Sequence, residues 1–167
     1  ASVAPALVAL IDEPDFTPRQ RMDLGEALGH IGDPRLCAPS ASSYWVEVSL
    51  DDDHRLAVGR NMVTTAEWID FLDSGAYDND KHWTEAGLVW RNGDRPTWRE
   101  LAAAEDSKPL TIPNQPVVGV SWYEAMAYAS AHGARLLEFD ERVYITRGPG
   151  KRPYPWGAPF GQANANT

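Results

Sequence analysis

Cysteine is almost absent from this sequence, since its 167 residues include one, Cys37. A single thiol excludes an internal disulfide and agrees with a reducing compartment. Long apolar runs are missing as well, because no stretch reaches the roughly 18 residues that span a bilayer. Residues 1–5 lack the basic region of a signal peptide, and no Met precedes them. We therefore expect a cytoplasmic protein that does not enter membranes, and a processed or engineered piece of a longer chain.

Basic residues are also scarce in this sequence. Lys and Arg number 15 against 24 Asp and Glu, which gives a formal net charge of −9 at pH 7. A surface that binds nucleic acid needs a basic face to neutralise phosphates. The composition therefore argues against nucleic acid as a partner. The hydrophobic content of 43% and the seven Trp are enough to fill the core of one domain, with or without a small appendage.

The N-terminal part has the pattern of two helices. Residues 5–11 are apolar, and Thr17, Pro18 and Gln20 have the spacing of an N-cap, a first-turn proline and a capping-box partner. We predict a helix over residues 18–31 and a helical lead-in over residues 1–36. The pair either resembles one HEAT-like repeat or is a simple lead-in that packs on the main domain.

Residues 44–59 have the alternation of a β-hairpin. Two runs of β-branched and aromatic residues, 44–50 and 55–59, flank Asp51-Asp52-Asp53. These aspartates and His54 could bind a hard cation, but a solvated turn explains them more simply. A helix then begins after Thr64, with Glu67 in the capping-box position. The aromatic-rich residues 75–98 that follow predict loops of poor periodicity.

Residues 117–133 predict a strand that leads directly into a helix. The apolar run 117–120 has the character of a strand, and Ser121 and Glu124 have the spacing of a capping box. Gly133 supplies the residue that ends the helix. The apolar face of this helix is formed by Trp122, Ala125, Met126 and Ala129.

Four blocks of this sequence resemble the formylglycine-generating enzyme family, also called the sulfatase-modifying factors. They are residues 116–125, 133–136, 147–148 and 154–157. They fit the family patterns Pro-Val-x-x-Val-Ser-Trp-x-Asp/Glu-Ala, Gly-x-Arg-Leu, Ala-Arg-Gly and Tyr-Pro-Trp-Gly. The resemblance implies an α+β fold, the family's variant of the C-type lectin fold, with its N-terminal part in residues 44–167. Residues 137–143 depart from the pattern, and the family's Gly-Gly-x-Phe-x-Met-Gly segment is missing between Ser40 and Arg60.

The resemblance implies two kinds of metal chemistry, and the sequence fits neither. Formylglycine-generating enzymes oxidise a substrate cysteine with copper held by two thiols. That pair belongs to the later half of the family domain, and Cys37 matches neither position. Related members bind iron through several histidines, whereas the histidines of this chain are far apart in sequence: His30, His54, His82 and His132. We therefore predict no catalytic residue in this chain.

The predicted binding residues lie at the end of the sequence. Family members often carry an Ala-Asn pair after Tyr-Pro-Trp-Gly whose Asn helps to bind a structural calcium ion. Asn166, or Asn164 in another register, would be that ligand, in a site that lacks most of the roughly six to eight oxygens calcium requires. A plain polar tail explains these residues equally well. Tyr154, Trp156 and Asn164 are our candidate ligand-binding residues, with the two aromatic side chains in a loop restricted by prolines.

The scaffold blocks without the thiol pair favour a non-catalytic module that binds a protein or small-molecule ligand. A sensor, an effector or a variable protein of a diversity-generating retroelement would use it in this way. The alternative is the N-terminal part of a metal-dependent formylglycine-generating-type oxidase whose catalytic half is absent. A third interpretation is a fragment that a second chain completes. Whether the chain is an enzyme stays open, and the missing thiols favour a binding module.

Overall fold

Helices and one β-hairpin make up a mixed α+β fold. The computed structural model describes residues 3–161. The α-helices in that range are α1 (Ala4–Ile11), α2 (Pro18–Ile31), α3 (Thr65–Asp73), α4 (Glu85–Arg91), α5 (Trp98–Ala102), α6 (Trp122–Ala131) and α7 (Phe139–Arg147). The strands are β1 (Trp45–Ser49) and β2 (Arg55–Gly59), and short 3-10 helices span Ser42–Tyr44, Asp80–His82 and Glu105–Leu110. None of the helices within residues 3–161 combines the length and apolar character needed to cross a membrane.

The predicted helix over residues 18–31 is confirmed as α2. Gln20 donates its backbone N–H to the Thr17 hydroxyl (3.3 Å), and the Gln20 side-chain oxygen accepts the Thr17 N–H (2.9 Å). This reciprocal pair satisfies two backbone donors that the first turn leaves without partners. Gly32, with φ of 95°, ends the helix in a conformation that glycine adopts readily. The resemblance of α1 and α2 to a HEAT-like repeat stays a prediction.

Helix α2 packs closely on the loop of residues 111–115. The Asn114 side chain donates hydrogen bonds to the Gly25 carbonyl (2.9 Å) and to the Asp33 carboxylate (3.1 Å). A Cβ atom at Gly29 would lie 2.4 Å from the Asn114 side-chain oxygen and 2.5 Å from Ile112. Only glycine allows so close an approach. The lead-in is therefore joined to the rest of the chain by specific polar and steric contacts.

The predicted hairpin is confirmed, with β1 and β2 antiparallel and in the register Trp45 opposite Gly59 to Ser49 opposite Arg55. The Asp51 carboxylate accepts the backbone N–H groups of Asp53 (2.9 Å) and His54 (2.8 Å). This local pairing is typical of an aspartate-initiated turn. The interpretation of the three aspartates as a solvated turn is therefore confirmed.

An aromatic core surrounds Trp68 of α3, whose side chain is 1% exposed. We call it the Trp68 core, and its buried members are Trp68, Phe71, Trp83, Trp98, Ala127 and Tyr128. The Trp68 ring lies 5.2 Å from Phe71 and 6.0 Å from Tyr128, between ring centroids. The Trp98 indole N–H donates to the Val118 carbonyl (2.8 Å). Large apolar rings account for the burial of this region, although the Trp68 indole N–H and the Tyr128 hydroxyl are buried without a hydrogen-bond partner among the described residues.

Two local predictions were wrong. Residues 117–120 do not form a strand, because a single bridge pairs Thr64 with Pro116, and Gly119 turns the chain with φ of 75°. The aromatic-rich residues 75–98 are not only loops, since they contain α4 and the start of α5. Thr84 and Thr97 cap these helices by accepting the N–H groups three residues later. The missed helices had visible N-cap signals but were too short for a hydrophobic period.

Helix α6 begins and ends as predicted. Ser121 and Glu124 form the capping box. The Ser121 N–H donates a hydrogen bond to the Glu124 carboxylate (2.7 Å). Gly133 follows the helix with φ of 66°. Helix α7 was not predicted, because residues 137–143 have no apolar period. Its first turn is nevertheless closed by Glu141, which accepts the Glu138 N–H (2.7 Å).

Candidate functional site

The aromatic loop, residues 154–160, contains two of the predicted binding residues. The rings of Tyr154 and Trp156 stack with centroids 5.2 Å apart and planes 4° apart, and Phe160 lies 5.5 Å from Tyr154. Tyr154 and Gly157 exchange backbone hydrogen bonds of 3.2 and 2.9 Å. These contacts hold a stacked pair at the surface, with Trp156 still 38% exposed. The other two predicted residues, Asn164 and Asn166, lie outside the described residues.

A groove of about 1100 Å³ runs between β2, the start of α6 and residues 134–137. Its apolar lining includes Met62, Trp122, Leu136 and Leu137. Trp122 is 62% exposed and Met62 is 72% exposed. Trp122, which its spacing placed on the apolar face of α6, is therefore not enclosed: as the first residue of the helix it lies at the groove and is open to solvent.

The ionisable side chains that line the groove, tyrosines aside, are basic. Arg60, Arg135 and Arg142 line it together with His132, and no carboxylate does so among the described residues. Arg135 binds Glu141 through two hydrogen bonds of 2.7 and 2.6 Å. This pairing holds the pKa of the Glu141 carboxyl at about 2. Arg60 and Arg142 form no ion pair within the described part of the chain. A net charge of −9 thus coexists with a locally basic groove.

Two tyrosines, one buried (Tyr44) and one half-buried (Tyr77), lie next to carboxylates. The Tyr77 hydroxyl donates to Glu124 (3.2 Å), a carboxylate whose residue is 3% exposed. Burial and the charge of Glu124 raise the pKa of Tyr77. Burial and the nearby Glu67 raise the pKa of Tyr44 to about 12. Both phenols are therefore neutral at physiological pH and suited to structural hydrogen bonding instead of proton transfer.

A second, smaller cavity of about 450 Å³ separates residues 29–40 from α3. Tyr128 and His132 line both this cavity and the groove. The His132 ring lies 4.3 Å from the Tyr128 ring, and its Nδ1 atom is 2.8 Å from the Tyr128 carbonyl. His132 therefore contacts the carbonyl of the last turn of α6 and has a structural position at the end of that helix.

The described residues contain no recognisable metal centre. Within residues 3–161, no three His, Cys, Asp or Glu side chains lie close enough together to hold an ion. Cys37 is partly buried, and its sulfur accepts a hydrogen bond from Ser43 (3.4 Å). His54 contacts Asp51 at 2.9 Å in the exposed hairpin turn. Each of these groups has a local structural role.

The fold and these two surfaces define a mixed α+β scaffold that presents an aromatic loop and an open groove. The sulfatase-modifying factor enzyme 1-like domain family has a sequence model that matches residues 48–167. The chain therefore belongs to this family, as the resemblance of its four blocks indicated.

Relatives of known name are enzymes. The chain is 38% identical over 117 residues to hercynine oxygenase of Mycobacterium tuberculosis, covering 60% of this chain and 26% of that protein. It is 35% identical over 115 residues to hercynine oxygenase of Mycolicibacterium thermoresistibile, covering 60% of this chain and 25% of the relative. It is 38% identical over 84 residues to formylglycine-generating enzyme of Bos taurus, covering 48% of this chain and 20% of that enzyme.

These comparisons correct our leading functional hypothesis. The relatives are named as an oxygenase and as a formylglycine-generating enzyme, so the interpretation as a non-catalytic binding module was wrong. The chain spans about a quarter or less of the length of these relatives. No solved structure matches the chain significantly. The absence of a thiol pair from one part of a domain was too weak a reason to favour a binding module over an enzyme.

Proposed function

We propose that this chain is the N-terminal part of a metal-dependent oxidase or oxygenase of the sulfatase-modifying factor type. The observation that carries the proposal is the family match over residues 48–167, together with relatives named hercynine oxygenase and formylglycine-generating enzyme. Both names denote oxidative chemistry. Because a shared fold alone does not fix a reaction, the choice between these substrates is left to experiment.

The metal is not held by the described residues. Copper requires soft thiolates, and iron of this kind requires converging imidazoles, but no such group exists within residues 3–161. The catalytic ligands therefore belong to another part of the complete protein. The contribution of this part of the chain is a scaffold: the Trp68 core fixes α3 and α6, and the capping boxes fix where these helices begin.

The finer details of the fold and its surroundings are also part of this proposal. We infer the family's variant of the C-type lectin fold over residues 44–167, with residues 1–36 as a helical lead-in. Family membership and the hairpin that precedes α3 support this arrangement. A cytoplasmic location, and a second chain as a means of completing the domain, stay predictions.

The aromatic loop is the surface that we assign to ligand or substrate contact. The stacked rings of Tyr154 and Trp156 form a flat, rigid surface. Because these side chains are ordered before a ligand binds, binding costs less conformational entropy. Asn164 stays a third candidate. A structural calcium ion at Asn166 stays a prediction, and a calcium titration followed by thermal unfolding of the complete protein would detect it.

The test compares the longest natural form of the protein with the 167-residue chain. Each is supplied with copper or iron, and with a cysteine-containing peptide or hercynine, while oxygen consumption and product mass are recorded. We expect turnover of one substrate by the longest form, its loss on chelation, and no turnover by the 167-residue chain. Turnover by the 167-residue chain would place the catalytic residues within it. No turnover of either substrate by the longest form would contradict an oxidase.

A further inference from the structure

The cationic loop, residues 147–152, directly precedes the aromatic loop in the chain. It carries three cations that are all exposed to solvent, Arg147, Lys151 and Arg152. Residues 142–161 contain no Asp or Glu, although the chain as a whole has 24 acidic residues against 15 basic ones. Positive charge is therefore concentrated here against the overall charge of the protein, as on a surface that attracts anions.

Hydrogen bonds order the two arginine side chains of the cationic loop. Arg147 donates from Nε to the Arg152 carbonyl (2.6 Å), and Arg152 donates from Nε to the Arg147 carbonyl (3.1 Å). The Arg152 guanidinium also lies over Gly148, where a Cβ atom would be 3.3 Å from its Nη2 atom. Both guanidinium groups are thus positioned before an anion arrives, which lowers the entropic cost of binding one.

The three cations have no anionic partner in the described part of the chain, because none of the ion pairs within residues 3–161 includes them. Helix α7 ends at Arg147, and a helix end carries only about half a negative elementary charge. This offsets a small part of three positive charges. The Nη1 and Nη2 atoms of Arg152 bond to no described residue, and such a fork matches the paired oxygens of a carboxylate or phosphate.

The aromatic loop lies beside these cations. Only Pro153 separates Arg152 from Tyr154, so the Cα atoms of these two residues are at most about 7 Å apart. The rings of Tyr154 and Trp156 stack with planes 4° apart, and Trp156 and Phe160 are 38% and 51% exposed. A flat ligand ring can pack on these side chains, while an oxyanion on that ring reaches the neighbouring cations.

We propose that the cationic and aromatic loops together bind a small ligand that carries a carboxylate or phosphate on a flat ring. The ring packs on the exposed side chains of the aromatic loop, and the fork of Arg152 and the ammonium of Lys151 bind the oxyanion. This proposal deepens the assignment of the aromatic loop to ligand contact and rests on it. It adds the charge and the shape of the ligand class.

Isothermal titration calorimetry with four matched probes tests the ligand class. The probes 1-naphthyl phosphate and 1-naphthoate carry both features, 1-naphthol lacks the anion, and inorganic phosphate lacks the ring. The 167-residue chain and the longest natural form are both titrated, at low and at high salt. Comparison of the phosphate with the carboxylate probe identifies which oxyanion the site prefers.

We expect at least one anionic naphthalene to bind about tenfold more tightly than 1-naphthol and inorganic phosphate, because a charge-assisted hydrogen bond is worth about 1.5–3 kcal/mol. High salt should weaken that binding, since it screens exposed charges. Equal binding of 1-naphthol and the anionic probes would overturn the proposal. Binding by the 167-residue chain that is absent from the longest form would also overturn it, because the loops would then be covered in the protein.

A matched pair of double variants locates the oxyanion. Lys151→Gln with Arg152→Gln removes two charges from the cationic loop, and Arg19→Gln with Lys81→Gln removes two exposed charges elsewhere. The first variant should bind the preferred anionic naphthalene about tenfold more weakly, and the second should bind it as the wild type does. A lower melting temperature of the first variant with unchanged affinity would show that these cations only stabilise the end of α7, and the proposal would fail.

Two variants of Trp156 test the ring separately. Trp156→Ala should weaken binding of the anionic naphthalenes and leave inorganic phosphate unchanged, while Trp156→Phe keeps a ring and should restore most of the affinity. Equal affinities of both variants and the wild type would remove the aromatic half of the site. Oxygen consumption by the longest form separates this proposal from the proposed function. Anion binding without turnover removes only the oxidase, and turnover without anion binding removes only this site.

Discussion

The Trp68 core and the groove are both built from aromatic and aliphatic side chains, and α6 contributes to both. The Trp68 core is closed: α3, α5, α6 and the segment around Tyr77 contact Trp68, which is 1% exposed. The groove is open: its Trp122, on the same helix, is 62% exposed. Apolar composition therefore does not by itself close a core. Closure also requires elements on every side, and the described residues supply them around Trp68 but not around Trp122.

The largest expected effect is at the centre of the Trp68 core. Trp68→Ala removes contacts with Phe71, Tyr77, Trp98 and Tyr128 and leaves a cavity, so we expect a loss of about 3–5 kcal/mol in unfolding free energy. Urea unfolding of the 167-residue chain measures it. A loss below about 1 kcal/mol would mean that the region is packed loosely and that the contrast with the groove is not real.

The second largest expected effect is the loss of a capping box, which occurs in this chain once in buried and once in exposed surroundings among the helices described next. Glu124 and Glu100 each close a capping box at the third position of a helix, but Glu124 is buried and also accepts the Tyr77 hydroxyl. We expect Glu124→Ala to lower the unfolding free energy by about 2–3 kcal/mol, because it leaves buried donors without acceptors. Glu100→Ala is the matched control and should lower it by about 0.5–1 kcal/mol. Equal losses would show that burial adds nothing to the cap.

A smaller effect concerns the junction between α2 and the 111–115 loop, a surface closed by polar contacts. Asp33, whose side chain is 3% exposed, binds Arg35 and Asn114, which hold the pKa of its carboxyl at about 2. This is below the unfolded value of about 3.9. The stabilisation is therefore complete above that unfolded value and is lost as the pH falls towards the folded pKa.

We expect this contribution to be about 1–2 kcal/mol. Unfolding free energies of the wild type and Asp33→Asn, compared from pH 6 down to pH 2, isolate it from the other carboxylates. The two curves should converge as the pH falls. A constant difference between them would show that the Asp33 charge does not stabilise the junction.

The smallest expected effect is in the groove. Trp122→Ala should change the unfolding free energy of the 167-residue chain by less than about 0.5 kcal/mol, because the side chain loses little buried area. A large loss already in the 167-residue chain would make the groove part of the core and remove the contrast with Trp68.

Local signals in the sequence predicted much of the fold. The capping boxes at Thr17, Thr64 and Ser121 located α2, α3 and α6, because a cap depends on residues three positions apart. The hairpin was predicted from its aspartate turn, which likewise depends on residues close together in the sequence. The strand over residues 117–120 failed, because its apolar run served packing on α3 and α5 and not a sheet. Helix α7 was missed, because its cap is a glutamate and its faces carry no apolar period.

The candidate site was less predictable than the fold. Tyr154 and Trp156 were predicted as binding residues from the prolines and glycine around them, and the structure stacks their rings. Their role in binding stays a prediction. The groove was missed, since its lining comes from residues far apart in the chain, such as Met62, Trp122 and Leu136. The nearest signal was the departure of residues 137–143 from the family pattern.

By itself, the sequence determined the family, the α+β class, the ends of α2 and α6 and the start of α3, because each depends on residues that are close neighbours along the chain. Only the tertiary structure decided which apolar residues are enclosed and which are left open. Trp68 and Trp122 carry the same side chain, each near the start of a helix. Burial is set by what packs on a residue from other parts of the chain, and no local pattern contains that information.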